Sequence, residues 1–302
     1  MECHQARGYF LEGIVQTWLQ ESGFLEVKHG KVRGRSTDHE IDAYGISSFN
    51  LPFIYPIKLL TEAKWHTYSN QHDRHIGPDV VRNFFGKIID IDQNYFRRKR
   101  SSMKMRYLHH GAIFSVTPFS SGAQEFAWGH GIYLIPLGGY TILRKFLEQA
   151  LSTFQKHFIS SKHQDDLYTK AKCRKLGRKI AKEKNQDLYF YSGILNQHDY
   201  VFIVANQEFY FQPDTDLITE NPIASKDFRL PGEERLETLF HFSIPGSEFE
   251  ICLPRYQSDK IIKSIKRTRP GNQFAFIDIP MNILANGKAV RRLFRIKLAL
   301  PD

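Results

Sequence analysis

Three carboxylates and one ammonium, those of Glu12, Asp42, Glu62 and Lys64, are the groups in this 302-residue chain whose types and placing could do chemistry together. Asp42 closes the run Asp38-His39-Glu40-Ile41-Asp42, and Glu62-Ala63-Lys64 follows an apolar stretch through Leu59-Leu60-Thr61. Side chains alternate along a strand, so Glu62 and Lys64 share one face and Ala63 turns to the other. If the strand ending at Asp42 pairs beside them, the acids converge. Two carboxylates about 4 Å apart repel by roughly 4 kcal/mol at an effective dielectric near 20. A hard divalent ion removes that repulsion, and magnesium takes one or two carboxylates together with waters and phosphate oxygens. The chemistry that follows is phosphodiester hydrolysis: the ion polarises the phosphate and activates water, while Lys64 orients that water or steadies developing charge. Spacing alone also fits a set of surface ion pairs. The apolar run before Glu62, with Trp65 after Lys64, puts the charged pair at the end of a buried strand, where sites form in open α/β sheets.

Other side chains compete for roles in such a site. His66 would share the face of Lys64 if the strand continued, which makes it a candidate for touching the phosphate or the water. Asp38 and Glu40 share the Asp42 face of an extended strand and rank below it as ligands, because they lie farther from the strand end. His72 and His75, with His109-His110 later, have no cysteine partners nearby, and the first pair lies in a polar run, so a substrate-side or solvent-exposed loop is expected there rather than a zinc site.

The elements that must position these groups are legible as periodicities. Phe10, Leu11, Ile14, Val15, Trp18 and Leu19 recur at helical spacing over residues 6 to 21, with Glu12 at the rim of that face and Gly23 as a stop. Strands are expected over Phe24 to Val27, Asp38 to Tyr44 and Ile54 to Lys64. A helix follows over Ile76 to Ile91, with Val80, Val81, Phe84, Phe85, Ile88 and Ile89 on its buried side and Pro78 in its first turn. Ala112 to Thr117 reads as a strand, Ser120 to Trp128 as a short helix, and Gly131 to Leu137 as a buried strand. This order implies a mixed sheet flanked by helices.

Composition constrains the partners. Formal net charge is +10, and the basic residues cluster at Arg97-Arg98-Lys99-Arg100 with Lys104 and Arg106, at Lys170 to Lys184, and at Lys260 to Arg269. Such clusters can track a phosphate backbone, although any one of them is equally a solvated face. Arg97 to Arg100 are therefore candidate substrate contacts. The cysteines, Cys3, Cys173 and Cys252, are few and scattered, which argues against a disulfide framework and fits a reducing, cytoplasmic compartment. No basic segment followed by an apolar core opens the chain. Its longest apolar stretch, Gly131 to Leu143, is broken by Pro136, Gly138 and Gly139, so neither a signal peptide nor a membrane span is expected.

With these residues in place, the chain resembles the PD-(D/E)xK superfamily of nucleases, and within it the Mrr-like restriction-endonuclease group, over roughly residues 6 to 140. The resemblance rests on Gly8-Tyr9-Phe10-Leu11-Glu12, Glu40-Ile41-Asp42, Leu60-Thr61-Glu62-Ala63-Lys64 and Ile76-Gly77-Pro78-Asp79-Val80-Val81-Arg82. Two later segments look like the closing strands of that group, Ala112 to Thr117 with Phe119 to Ala123, and Gly131 to Ile135. It implies Asp42 and Glu62 as magnesium ligands, with manganese as a substitute, and the Ala63 carbonyl as a further ligand. It also implies Lys64 as the catalytic lysine and Glu12 as a supporting acid. Many members of the group carry Gln where this chain has Glu62, the more general form of the superfamily.

The expected fold is thus an α/β restriction-endonuclease-like domain with a mixed central sheet over residues 1–158, then a β-rich domain. A helix over Ile142 to Phe158 leads into a basic helical linker at 159–186. Residues 187–302 read as a small barrel or sandwich with strands at Leu188 to Ile194, Tyr200 to Ala205, Phe209 to Gln212, Leu239 to Ile244, Phe249 to Leu253, Phe274 to Ile279 and Leu293 to Leu300. That half would serve recognition, regulation or assembly. The leading functional expectation is a magnesium-dependent endonuclease acting on DNA, in restriction or antiviral defence, with a homodimer or a protein partner as further expectations. The rivals are a regulated effector nuclease acting on DNA or RNA, activated through its C-terminal half, and a non-catalytic nucleic-acid-binding or assembly protein on a nuclease fold.

Overall fold

The computed structural model describes residues 2–48, 55–65, 75–94, 106–162, 169–184, 187–195, 199–208, 217–219, 224–228, 236–244, 247–268, 274–285 and 288–299. Its first half is a five-stranded mixed sheet in the order β1-β2-β3-β4-β5. The strands are β1 (Phe24–Arg33), β2 (Asp38–Ser47), β3 (Ile57–Lys64), β4 (Leu108–Ser115) and β5 (Ile132–Pro136). β1, β2 and β3 pair antiparallel, whereas β3, β4 and β5 run parallel. The parallel strands are apolar on both sides, as strands covered on two faces must be. In β4, Ala112 and Phe114 enter one core and Ile113 the other.

Helix α1 (Cys3–Glu21) covers one face and buries Phe10, Ile14 and Trp18 against Ala43, Leu59, Ala63 and Phe114. The other face is covered by α2 (Pro78–Gln93) and α3 (Ser121–Gly129), which bring Val81, Phe84, Ile88 and Ala123 onto Ile41, Leu60, Ile113 and Leu134. The expected helices and strands of this half are all present. One detail differs: Ile89 is 38 % exposed, because the buried stripe of α2 runs through Val81, Phe84, Ile88 and Ile91.

The chain continues through α4 (Thr141–Lys162) into α5 (Lys170–Lys184), within the segment read as a basic linker. Despite its polarity, α5 lies closely against α1. A Cβ at Gly13 would run into the Arg174 carbonyl, and one at Gly177 into the Phe10 carbonyl. Cys173, Ile180 and Ala181 complete the buried side, so small residues bring the two backbones together; Lys172, Lys175, Lys179 and Lys182 face outward, whereas Arg174 turns in toward α1.

Strands β6 (Tyr189–Leu195), β7 (Asp199–Ala205), β8 (Leu217–Thr219), β9 (Ala224–Phe228), β10 (Glu237–Ile244), β11 (Ser247–Pro254), β12 (Phe274–Ala285) and β13 (Lys288–Ala299) form a second sheet, with α6 (Arg255–Thr268) packed on β10 and β11. Its order is β8-β13-β12-β6-β7-β11-β10-β9, antiparallel apart from the β13–β8 pair. The expected strand at Phe209 to Gln212 lies outside the described residues.

The two sheets share one apolar cluster. The Trp18 ring stacks on Phe190 with centroids 4.8 Å apart, and Phe114 meets Phe202 edge-on at 5.5 Å. Polar ties reinforce the contact: the Tyr140 hydroxyl donates to the Phe202 carbonyl at 2.6 Å, and Glu250 of β11 accepts from the Ile142 N–H at the start of α4 at 2.9 Å. Among the described residues, no helix is long and apolar enough to cross a membrane.

Candidate active site

The local geometry begins with an irregularity in β2. Lys28 stands opposite Tyr44 and Gly30 opposite Ile41, so Asp42 and Ala43 together face the single residue His29. This is a bulge, which re-aims the side chains beside it. Alternation is interrupted as a result: Ile41 and Ala43 are two residues apart, yet they enter the cores on opposite faces of the sheet. A second register shift, at Glu26, a non-glycine residue with positive φ (50°), lies between Leu25 and Lys28 and restores the pairing.

The bulge delivers Asp42 to the end of β3. The β2–β3 register runs to Ala43 opposite Thr61, and beyond it the Ala63 N–H is taken by Asp42 Oδ2 at 2.8 Å. A side chain thus replaces the backbone ladder where the two strands part. The opening is a pocket of about 330 Å³ lined by Glu12, Glu40, Asp42, Glu62, Ala63, Lys64 and Lys87, with His4, Gln5, Gly8, Tyr9 and Trp65 around them. It lies at the carboxyl end of β3, the position expected of a site in a sheet of this kind. A larger cavity of about 450 Å³, between α3, β5 and α6, has Trp128, Tyr133 and Tyr256 on its walls but no carboxylate, ammonium or imidazole. The chemistry-bearing groups are in the smaller one.

Each acid has a different charge environment. Glu62 is buried, which alone would raise its pKa, but Lys64 Nζ at 2.7 Å and Lys87 Nζ at 2.9 Å outweigh burial and hold it below the ordinary value. Glu12 is buried beneath α5 and accepts from Arg174 Nε at 2.6 Å; burial still wins and raises its pKa. Asp42 has no ammonium or guanidinium on it among the described residues. Burial raises its carboxyl well above the ordinary value, and Glu62 and Glu12 add to the rise, against only the Ala63 N–H and the charge of Lys64. The Lys64 ammonium is held above its ordinary value, because Glu62, Asp42 and Glu12 outweigh its burial. The pocket therefore has an acid short of positive charge beside a second acid already neutralised by amines. A divalent cation bound there would supply what Asp42 lacks, and the donor set of carboxylate oxygens suits a hard ion such as magnesium.

Sequence reasoning brings Glu12, Asp42, Glu62, Ala63 and Lys64 to one place, and the structure has all five on the wall of this pocket. It missed Lys87 and Arg174, which reach the site from α2 and α5. Glu40 also lines the pocket, accepting from Arg174 at 3.3 Å, whereas Asp38 turns outward to Arg33 at 3.3 Å. Arg174 and Lys170 lie over the Tyr9 ring at 5.0 and 4.8 Å, which continues a basic rim from the pocket along α5. His109 pairs with Asp92 at 2.6 Å and His110 with the Tyr133 hydroxyl at 3.2 Å, both away from the pocket. Among the described residues, no three His, Cys, Asp or Glu side chains form a cluster that could by itself hold a metal ion. A magnesium-like ion held by one or two carboxylates does not need one. His66 and Arg97 to Arg100 lie outside the described residues.

No family model and no curated protein matches the chain. A solved structure to which it is similar is that of a protein of unknown function, AF1548, at 19% identity and a TM-score of 0.32, covering 59% of this chain and 96% of that one.

Proposed function

We propose that this chain is a divalent-cation-dependent endonuclease of the PD-(D/E)xK kind, acting on DNA in restriction or defence against foreign genomes. The observation that carries this reading is the meeting of Asp42, Glu62 and Lys64 where β2 and β3 part, with Asp42 left short of positive charge. A binding protein gains nothing from acids clustered where phosphate would lie.

In this reading Asp42 and Glu62 hold the cation, with the Ala63 backbone beside them on the pocket wall. The bound ion would supply Lewis acidity and a water made acidic enough to attack at neutral pH. Lys64, whose ammonium keeps its proton at neutral pH, donates to the attacking water or to a non-bridging phosphate oxygen. The water oxygen forms a bond to phosphorus, one phosphate ester bond breaks, and the departing oxygen takes up a proton. Arg174 holds Glu12 on the pocket wall, and the amines of α5 follow the backbone of the substrate. Two copies of the chain would cut both strands.

Incubation of the purified protein with plasmid DNA, single-stranded DNA and RNA, in magnesium, in manganese and in chelator, tests this directly. Expected is metal-dependent cleavage of DNA that Asp42→Ala and Lys64→Ala each reduce by roughly a hundredfold or more. Cleavage that survives either substitution overturns the site assignment, and cleavage of RNA alone transfers the activity to a different substrate.

A further inference from the structure

Glu62 carries two ammonium groups, where the strand motif accounts for one. Lys64 Nζ occupies Oε1 at 2.7 Å and Lys87 Nζ occupies Oε2 at 2.9 Å, so both oxygens of the carboxylate are engaged. The two lysines reach it by different routes. Lys64 comes from the same strand, two residues on. Lys87 comes from the middle of α2, whose position is fixed by Phe84, Ile88 and Ile91 in the core beneath, and its ammonium also donates to the Glu40 carbonyl at 3.4 Å. Both amines line the pocket and are open to it to the same degree, with side chains 28% and 29% exposed.

This arrangement has a consequence that rests on the nuclease reading above. A carboxylate whose two oxygens are both held by amines has to release one before it can ligate a cation. In and beside the pocket, the four acids Asp42, Glu62, Glu12 and Glu40 stand against the four cations Lys64, Lys87, Arg174 and Lys170, with Asp42 the one acid that no cation pairs directly among the described residues. An added divalent cation leaves that set strongly positive and the freed ammonium without its acid, so the anion that answers it is the phosphate of the substrate. We propose that Lys87 is a second substrate-facing lysine of this site: it neutralises Glu62 in the cation-free protein and turns to a phosphate oxygen of bound nucleic acid when Glu62 takes the cation. An ammonium on a flexible four-carbon stem suits such an exchange, since it is a compact charge with rotatable donors.

A lysine that merely braces α2 against β3 predicts neither effect, which makes the exchange testable. Lys87→Met and Lys87→Gln are compared with the wild-type protein and with Asp42→Asn in two binding measurements on the full chain, after thermal melts establish which variants are folded. Manganese binding to the protein alone is expected to tighten several-fold in either Lys87 variant, because a competitor for Glu62 is gone. Affinity for a labelled DNA duplex is expected to fall roughly tenfold in calcium, which supports binding without cleavage, and to stay unchanged in chelator, where Lys87 is engaged by Glu62. Unchanged or weaker manganese binding, or a duplex affinity whose loss is absent or equal in calcium and chelator, overturns the proposal. If manganese binding depends on Asp42 and ignores Lys87, this proposal alone fails. If it ignores Asp42 as well, the metal site itself is wrong.

Discussion

Asp42→Asn is expected to lower metal-dependent cleavage by roughly a thousandfold and, in the absence of a divalent cation, to make the protein more stable. The two effects have one cause. Charge on this aspartate is disfavoured where it stands, through burial first and then through Glu62 and Glu12. Asparagine keeps an acceptor for the Ala63 N–H, which now rests on Asp42 Oδ2, and removes the charge. A gain on the order of 1–2 kcal/mol follows, read as a higher melting temperature in chelator. A divalent cation should raise the wild-type midpoint and leave that of Asp42→Asn unmoved.

The same shift sets a pH dependence. The folded-state pKa of Asp42 lies above its ordinary value of 3.8, and that of Glu12 above 4.5, so between those values and the raised ones the folded protein holds more protons than the unfolded chain. Stability from these two groups therefore falls as pH rises through that window. Glu62 has the opposite sign: its pKa is lowered, and the stability it contributes is lost as pH falls through the lowered value. Melts across pH in chelator should show the decline on the alkaline side of the ordinary carboxylate range, with a smaller slope for Asp42→Asn. An unchanged slope would mean that Asp42 is not the titrating group.

The largest stability loss is expected at Arg174. Its guanidinium is buried on Glu12 at 2.6 Å and reaches Glu40 at 3.3 Å. Arg174→Met leaves the Glu12 carboxylate buried near Glu40 and Glu62 with no cation on it, a loss of about 3–5 kcal/mol. Adding Glu12→Gln should recover most of it, because the orphaned charge is then gone. Urea unfolding of the two single variants and the double variant measures this. A double variant no more stable than Arg174→Met would mean that Arg174 acts through its packing on α1 and Tyr9, and not through its charge.

How far these features were legible follows from where their signals sit in the chain. The helices and strands of the first half are written as continuous periodicities, and Glu62 and Lys64 are marked by standing at a strand end; Asp42, read as closing its strand, lies inside β2, which runs on to Ser47. The bulge at Asp42 is not written anywhere local. It exists because β1 and β2 pair out of step, and only the paired strands reveal that Ile41 and Ala43 enter opposite cores. Lys87 was hidden for a different reason: on a helix that is apolar on one side and polar on the other, a lysine at the rim looks like any solvated residue. Arg174 does carry a signal in the sequence. The segment around it is dominated by lysine and arginine, yet Cys173, Gly177, Ile180 and Ala181 recur on one side at helical spacing, the mark of a face made for close packing.

The central claim is that Asp42 and Glu62 share one divalent cation. Anomalous scattering from crystals of the wild-type protein grown or soaked with manganese tests it most directly. The account predicts an anomalous peak in the pocket between β2 and β3, within coordination distance of carboxylate oxygens of both Asp42 and Glu62, that disappears in Asp42→Asn. A manganese peak that touches neither carboxylate, or one that persists unchanged in Asp42→Asn, would contradict it.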